Sequence, residues 1–212
     1  MRKEYSKKDE FVTGLILLGL SLSLTGCLIY WYFGNPEEFI ERRLGINPES
    51  FNNPYVWILA LIIAAGYIVY TAKVIPFVRA HLTTFSWLKV IGIWAALVSS
   101  TVEEILFRHV LMDWFNELEL SIVIQVLASG IIFGIAHGAW IMLRGEFRIA
   151  LPVILSTAVL GCLLAVLYVI ADRNVLAPII AHILINVMIE PWLMLSAVTG
   201  KWDSEEATSR SI

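Results

Sequence analysis

Six side chains carry the chemistry of this sequence. Glu103, Glu104 and Arg108 fall inside one apolar stretch, His137 inside a second, and His182 with Asn186 inside a third. Ionisable groups in membrane-spanning segments are rare, face the protein interior and mark candidate functional sites. Helix geometry separates the two carboxylates. Glu104 and Arg108 are four residues apart, share a face and can form an ion pair. Glu103 projects about 100° away from Glu104, is poorly placed to share that pair, and is left available for proton transfer. One free carboxylate, two imidazoles and a carboxamide are the parts needed to activate a water and stabilise an oxyanion.

Each residue alone also has an ordinary reading. A single histidine in a helical bundle is more often a hydrogen-bonded packing residue, and a Glu–Arg pair can simply staple helices. Phe133 and His137 are four apart on one helix face. Gly130, Gly134 and Gly138 line an adjoining face as small-xxx-small steps, which read as close helix packing. His81 and His109 read as interfacial, Glu190 before Pro191 as a helix-break or interface residue, and the eight tryptophans as interface anchors and packing. Cys27 and Cys162 lie in apolar blocks and read as small hydrophobes.

The elements that must position these groups are membrane helices. Of the 212 residues, 58% are hydrophobic, and the mean hydropathy is +0.77. The excess sits in blocks of roughly 20 residues, long enough for a bilayer core of about 30 Å. The expected fold is all-α: a polytopic membrane bundle of about six transmembrane helices, near 11–33, 55–78, 88–115, 120–142, 149–170 and 175–198. The first is read as a retained span, not a cleaved signal peptide. A polar, proline-containing segment follows it and can form a short surface helix from Glu37 to Leu44. Residues 1–87 hold the N-terminal tail and two spans, 88–198 the core with the chemical residues, and 199–212 a polar tail. A net charge of -3, with a basic run only at the N-terminus, argues against a nucleic-acid partner. With the N-terminus in the cytoplasm, eleven Lys and Arg fall on the inner side, among them Lys73, Arg79, Lys89, Arg144 and Arg148. Only Arg42, Arg43 and Arg173 fall outside. Both termini are therefore expected in the cytoplasm. The last four residues form no prenylation signal.

The stretches "EEILFR" (Glu103 to Arg108), "FGIAH" (Phe133 to His137) and "HILIN" (His182 to Asn186) resemble, in order, the EExxxR, FxxxH and HxxxN motifs of the CPBP family, the CAAX proteases and bacteriocin-processing (Abi) enzymes. The resemblance covers about residues 88–198. It implies an intramembrane endopeptidase of the glutamate type, in which Glu103 and His137 hold the attacking water and His182 and Asn186 stabilise the oxyanion. Glu104, Arg108 and Phe133 would support the site. The short chain looks more like the bacterial members, which implies a bacterial plasma-membrane protein. Its substrate would be a membrane-associated peptide or protein, such as a prenylated tail or a leader peptide.

Two other readings remain open at this level. No metal cofactor is expected, yet two histidines and a glutamate are legitimate Zn2+ ligands, and a zinc protease is the alternative within the enzyme class. Outside it stand a non-catalytic immunity or scaffold protein and a proton-coupled carrier. Depth poses a further problem. At about 1.5 Å per residue, Glu103 falls near mid-membrane, His137 toward the cytoplasmic end of its span, and His182 toward the outer end of the sixth. The three meet only if the boundaries shift or the helices tilt or break.

Overall fold

The computed structural model describes residues 5–138 and 147–201, and within these every regular element is helical. Helix α1 (Lys7–Gly34) opens with a capping box: Ser6 accepts from the Asp9 amide while the Asp9 carboxylate takes the Ser6 amide. This satisfies two of the amides a helix start leaves bare. The predicted surface helix appears as α2 (Pro36–Glu38) continued by a π-helical turn, Phe39–Arg43. Helix α3 (Pro54–Val74) starts at the Asn53 cap with proline in its first turn, and ends before Pro76 starts α4 (Pro76–His81). The second predicted span, 55–78, is therefore broken near Ile75.

The third span is α5 (Trp87–Glu104), a π-helical segment (Ile105–Val110) and α6 (Leu111–Glu117). Then come α7 (Ile122–His137), α8 (Phe147–Ile170) and α9 (Leu176–Thr199). Among the described residues, five helical stretches, Lys7–Gly34, Pro54–Val74, Trp87–Glu117, Leu151–Ile170 and Leu176–Thr199, have the length and apolarity to cross a membrane, and Ile122–His137 is a shorter apolar helix. The far end of the fourth expected span, beyond His137, and the polar tail after Lys201 lie outside the described residues, as do Arg144 and Arg210.

Packing follows side-chain size. On α7, Ile124, Ile131 and Ile135 point outward, half or more exposed, while Ser129, Gly130, Phe133 and Gly134 are buried. The outer face is wholly apolar, while the inner one carries Gln125 and Ser129 beside the glycines, so polarity and small side-chain volume together select it. A methyl group on Gly134 would sit 2.5 Å from the Ile154 carbonyl, and one on Gly130 2.8 Å from the Cys162 backbone nitrogen. The glycines thus serve close α7–α8 packing, with Cys162 as a small hydrophobe beside them. Helix α9 is the central element: Ile185, Ile189, Trp192 and Leu195 are buried among Leu17, Ala60, Phe77, Leu88 and Leu164 from five other helices.

Pro191 lies inside α9, yet the helix runs through it. A proline removes one intrahelical hydrogen bond and leaves the carbonyl four residues back without its partner. Here the Lys89 ammonium donates to that carbonyl, Val187 O, and to Met188 O at 3.3 Å. Gly92 makes room for the ring, since a methyl group there would overlap Pro191 Cγ. This corrects the expectation for Glu190: it marks neither a break nor an interface, and is 7% exposed within a continuous helix.

The His182 part of the depth problem is resolved at the α8–α9 turn. Asp172 and Arg173 adopt left-handed backbone, φ 53 and 60, a conformation that costs a non-glycine residue about 1–2 kcal/mol. Arg173 Nη1 meets Asp113 Oδ1 at 2.7 Å, and Nη2 donates to Asn116 Oδ1 at 3.0 Å and to Gln125 Oε1. Asp113 also accepts from Tyr168 Oη at 2.9 Å. The turn is thereby tied to α6 and α7. Asp113 lies ten residues beyond Glu103, and His182 nine beyond Arg173, so comparable lengths of chain run from the Asp113–Arg173 contact to the Glu103 cluster. Helix α9 begins below the end of α6, and that offset brings His182 level with Glu103.

Candidate active site

Three helix faces with four-residue spacing converge. Helix α5 and the π segment after it present Ser100, Glu104 and Arg108. Helix α7 presents Gln125, Ser129, Phe133 and His137, and α9 presents His182, Asn186 and Glu190. Helices α5 and α9 are antiparallel here, because Glu104 meets His182 while Ser100 meets Asn186.

Glu104 and Arg108 are fully buried and paired, with Arg108 Nε 3.0 Å from Glu104 Oε2 and Nη2 3.4 Å from Oε1. Arg108 Nη1 also donates to Ser129 Oγ at 3.2 Å, and that hydroxyl donates in turn to the Phe107 carbonyl at 2.9 Å. The guanidinium lies over the Phe133 ring at 5.0 Å. The π-helical segment Ile105–Val110 starts directly after Glu104; such segments recur at functional sites because they re-aim side chains within a continuous helix.

Glu104 holds a second partner, His182, whose Nδ1 lies 2.8 Å from Glu104 Oε1. An ionised carboxylate only accepts, so Nδ1 carries a proton and Nε2 is turned toward Glu103 Oε2, at 3.8 Å. His137 approaches the same oxygen, with Nε2 at 3.7 Å. Its Nδ1 faces the Phe133 carbonyl at 2.9 Å, so that nitrogen donates and the neutral ring offers a lone pair at Nε2. Glu103 Oε2 is buried without a hydrogen-bond partner, between two imidazoles too far for direct bonds and close enough for one bridging water. Phe133 is the shared wall, its ring 4.4 Å from His137 and 5.7 Å from His182.

Asn186 reaches this cluster through α5, its amide donating to Ser100 Oγ at 3.2 Å; its second N–H is not engaged by that bond. The structure therefore brings Glu103, Glu104, Arg108, Phe133, His137 and His182 together and places Asn186 one turn along. Sequence reasoning did not single out Ser100, Ser129, Asp113 or Arg173 for the site. Ser100 and Ser129 sit one turn before Glu104 and Phe133, a spacing that could have flagged both. The Asp113–Arg173 pair spans 60 residues and leaves no local signal. His109 contacts Asp113 at 3.2 Å, while the His81 ring packs at a tilt against Phe77 and Trp192. Among the described residues, no group of three or more His, Cys, Asp or Glu is spaced to hold a metal ion.

No solved structure matches the chain. Among curated proteins, a phosphatidylglycerol–prolipoprotein diacylglyceryl transferase of Synechocystis sp. is 26% identical over 110 residues, which cover 49% of this chain and 35% of that relative. Residues 85–188 match the family described as type II CAAX prenyl endopeptidase Rce1-like. That range takes in α5, α6, α7, α8 and the first half of α9, including every residue of the Glu103 cluster. These residues, just under half of the chain, carry its likeness to the Rce1-like family of type II CAAX prenyl endopeptidases.

Proposed function

We propose that this integral membrane protein is an endopeptidase of the glutamate type, hydrolysing a peptide bond of a membrane-associated protein or peptide. One observation carries the reading: Glu103 Oε2, free of any hydrogen bond, faces the Nε2 atoms of both His137 and His182 at 3.7 and 3.8 Å. Glu104, its neighbour in sequence, is occupied by Arg108 and His182.

In this mechanism a water donates one hydrogen bond to Glu103 and the other to His137 Nε2, which turns its lone pair toward the substrate carbonyl. Attack forms the C–O bond as Glu103 takes a proton. The oxyanion accepts hydrogen bonds from His182 Nε2–H and from the second amide hydrogen of Asn186. This role requires both His182 nitrogens to carry protons, with Nδ1 held on Glu104. Collapse breaks the C–N bond, and Glu103 returns its proton to the leaving nitrogen, giving an acid and an amine. Each such donor is typically worth about 10²–10³ in rate. Arg108 balances the Glu104 charge, and Phe133 packs against both imidazoles. No step uses a metal.

The substrate is a membrane-anchored chain, with a prenylated tail or a leader peptide as the leading classes. Both termini lie in the cytoplasm of a bacterial plasma membrane on this reading, and the site opens toward that side. The test is cleavage of lipid-anchored peptides by the purified protein in liposomes, with and without chelator. Wild-type cleavage that resists chelator and vanishes in Glu103→Gln is the expected result. Cleavage retained by Glu103→Gln would overturn it, and loss to chelator with recovery on added Zn2+ would replace it with the zinc mechanism.

A further inference from the structure

One buried acid has no part in the scheme above. Glu190 lies on α9 two turns past His182 and one past Asn186, on the same helix face. It is 7% exposed, its Oε2 has no hydrogen-bond partner, and it lies within electrostatic reach of Glu103. Lys89, the cation that α5 brings against this turn, is committed elsewhere, donating to the carbonyls of Val187 and Met188. Burying a carboxylate without a partner is costly, and a neutral or apolar residue of similar size would be tolerated at least as well. An acid buried in this way holds its proton rather than its charge, but the Oε2 atom stays without a partner; a ligand that supplies the missing donor satisfies it.

We propose that Glu190 is a specificity-determining residue that receives a basic side chain, lysine or arginine, of the substrate. The proposal rests on the reading of the Glu103 cluster as a peptide-cleaving site. Eight residues of α9 separate Glu190 from His182, about 12 Å along the axis. An extended peptide advances about 3.3 Å per residue, so the basic residue falls about three or four positions from the bond cleaved. A charge-assisted hydrogen bond formed on binding replaces an unsatisfied carboxylate and contributes about tenfold to a hundredfold in affinity. An acidic residue at that position is rejected.

The test measures binding on Glu103→Gln protein in nanodiscs, so that turnover does not interfere. The probes are membrane-anchored Leu/Ala peptides carrying one Lys at successive positions, and the same peptides with Gln or Glu there. At the best position the Lys peptide should bind at least about tenfold more tightly than its Gln counterpart. Adding Glu190→Gln should bring that ratio to about one, and Glu190→Lys should favour the Glu peptide. The unfolding midpoint of Glu190→Gln should equal or exceed that of its parent. A Lys-to-Gln ratio that is the same with and without Glu190 overturns the proposal, as does a large fall in the midpoint, which would mean that the carboxylate serves the fold. Cleavage is scored separately on protein that retains Glu103. Its absence for every peptide would sink the protease reading and leave the binding ratio still to decide the role of Glu190.

Discussion

Glu104 Oε1 and His182 Nδ1 stand 2.8 Å apart across 78 residues of sequence. With Arg108 set against both its oxygens, Glu104 links the buried cation to the imidazole that faces Glu103. The two adjacent glutamates should therefore fail differently. Glu104→Gln leaves the Arg108 charge buried without its counter-ion, and breaking such a pair costs about 3–5 kcal/mol. Glu103→Gln removes a carboxylate that makes no hydrogen bond at Oε2 and should shift stability by about 1 kcal/mol or less. Unfolding midpoints in detergent, beside cleavage rates, check the contrast: both variants lose activity, and only Glu104→Gln loses stability.

Ser129 should show a weaker version of the same dependence. Its hydroxyl accepts from Arg108 and donates to the Phe107 carbonyl. Ser129→Ala orphans a buried donor and a buried acceptor and should cost about 1–3 kcal/mol. Cleavage should fall, by less than in Glu103→Gln, because the guanidinium keeps its contacts with Glu104 and Phe133. A midpoint equal to wild type would mean that the hydroxyl does not position Arg108.

Much of this site was legible in the sequence because its parts are local. Glu104 with Arg108, Phe133 with His137, and His182 with Asn186 are each one helical turn apart, so side-chain type and spacing alone predicted shared faces. The bundle was legible for a similar reason, as apolar runs of bilayer length need no tertiary context. What escaped depends on relations between helices. The level at which α9 starts is set by Arg173 reaching Asp113 from a turn in left-handed backbone. Counting residues from predicted boundaries misplaced His182 for that reason. Glu190 was misread because proline suggested a break, and the ammonium that completes the helix comes from another span.

The Asp113–Arg173 contact should therefore control activity at a distance. It does not touch the Glu103 cluster, yet it sets the depth of α9. Arg173→Met should leave Asp113, Gln125 and Asn116 short of a donor, lower the unfolding midpoint, and slow cleavage by displacing His182 from Glu103. Asp113→Asn should do the same, and the double variant should be far less than additive in stability, with a coupling of about 1–3 kcal/mol. Strict additivity would show that the pair does not hold the turn.

The crossing of α5 over α9 yields the sharpest steric prediction. Gly92 has no room for a methyl group because Pro191 Cγ occupies the space, and both residues lie in helices that carry the site. Gly92→Ala gains helix propensity of about 1 kcal/mol but forces the helices apart, and overpacking of this kind costs about 1–3 kcal/mol. The net effect should be destabilising, with cleavage reduced because Ser100 and Asn186 separate. Pro191→Ala removes the obstructing ring, returns an amide hydrogen to Val187 O, and frees Lys89 from that carbonyl. In the Pro191→Ala background, Gly92→Ala should therefore become much less costly, since Cγ and Cδ are gone and only the Cβ of residue 191, at 3.0 Å, still presses on the new methyl group. This relief, read from unfolding midpoints of the four proteins, tests whether the proline ring and not helix propensity dictates glycine at position 92. If Gly92→Ala is equally harmful in both backgrounds, the constraint lies elsewhere in the crossing.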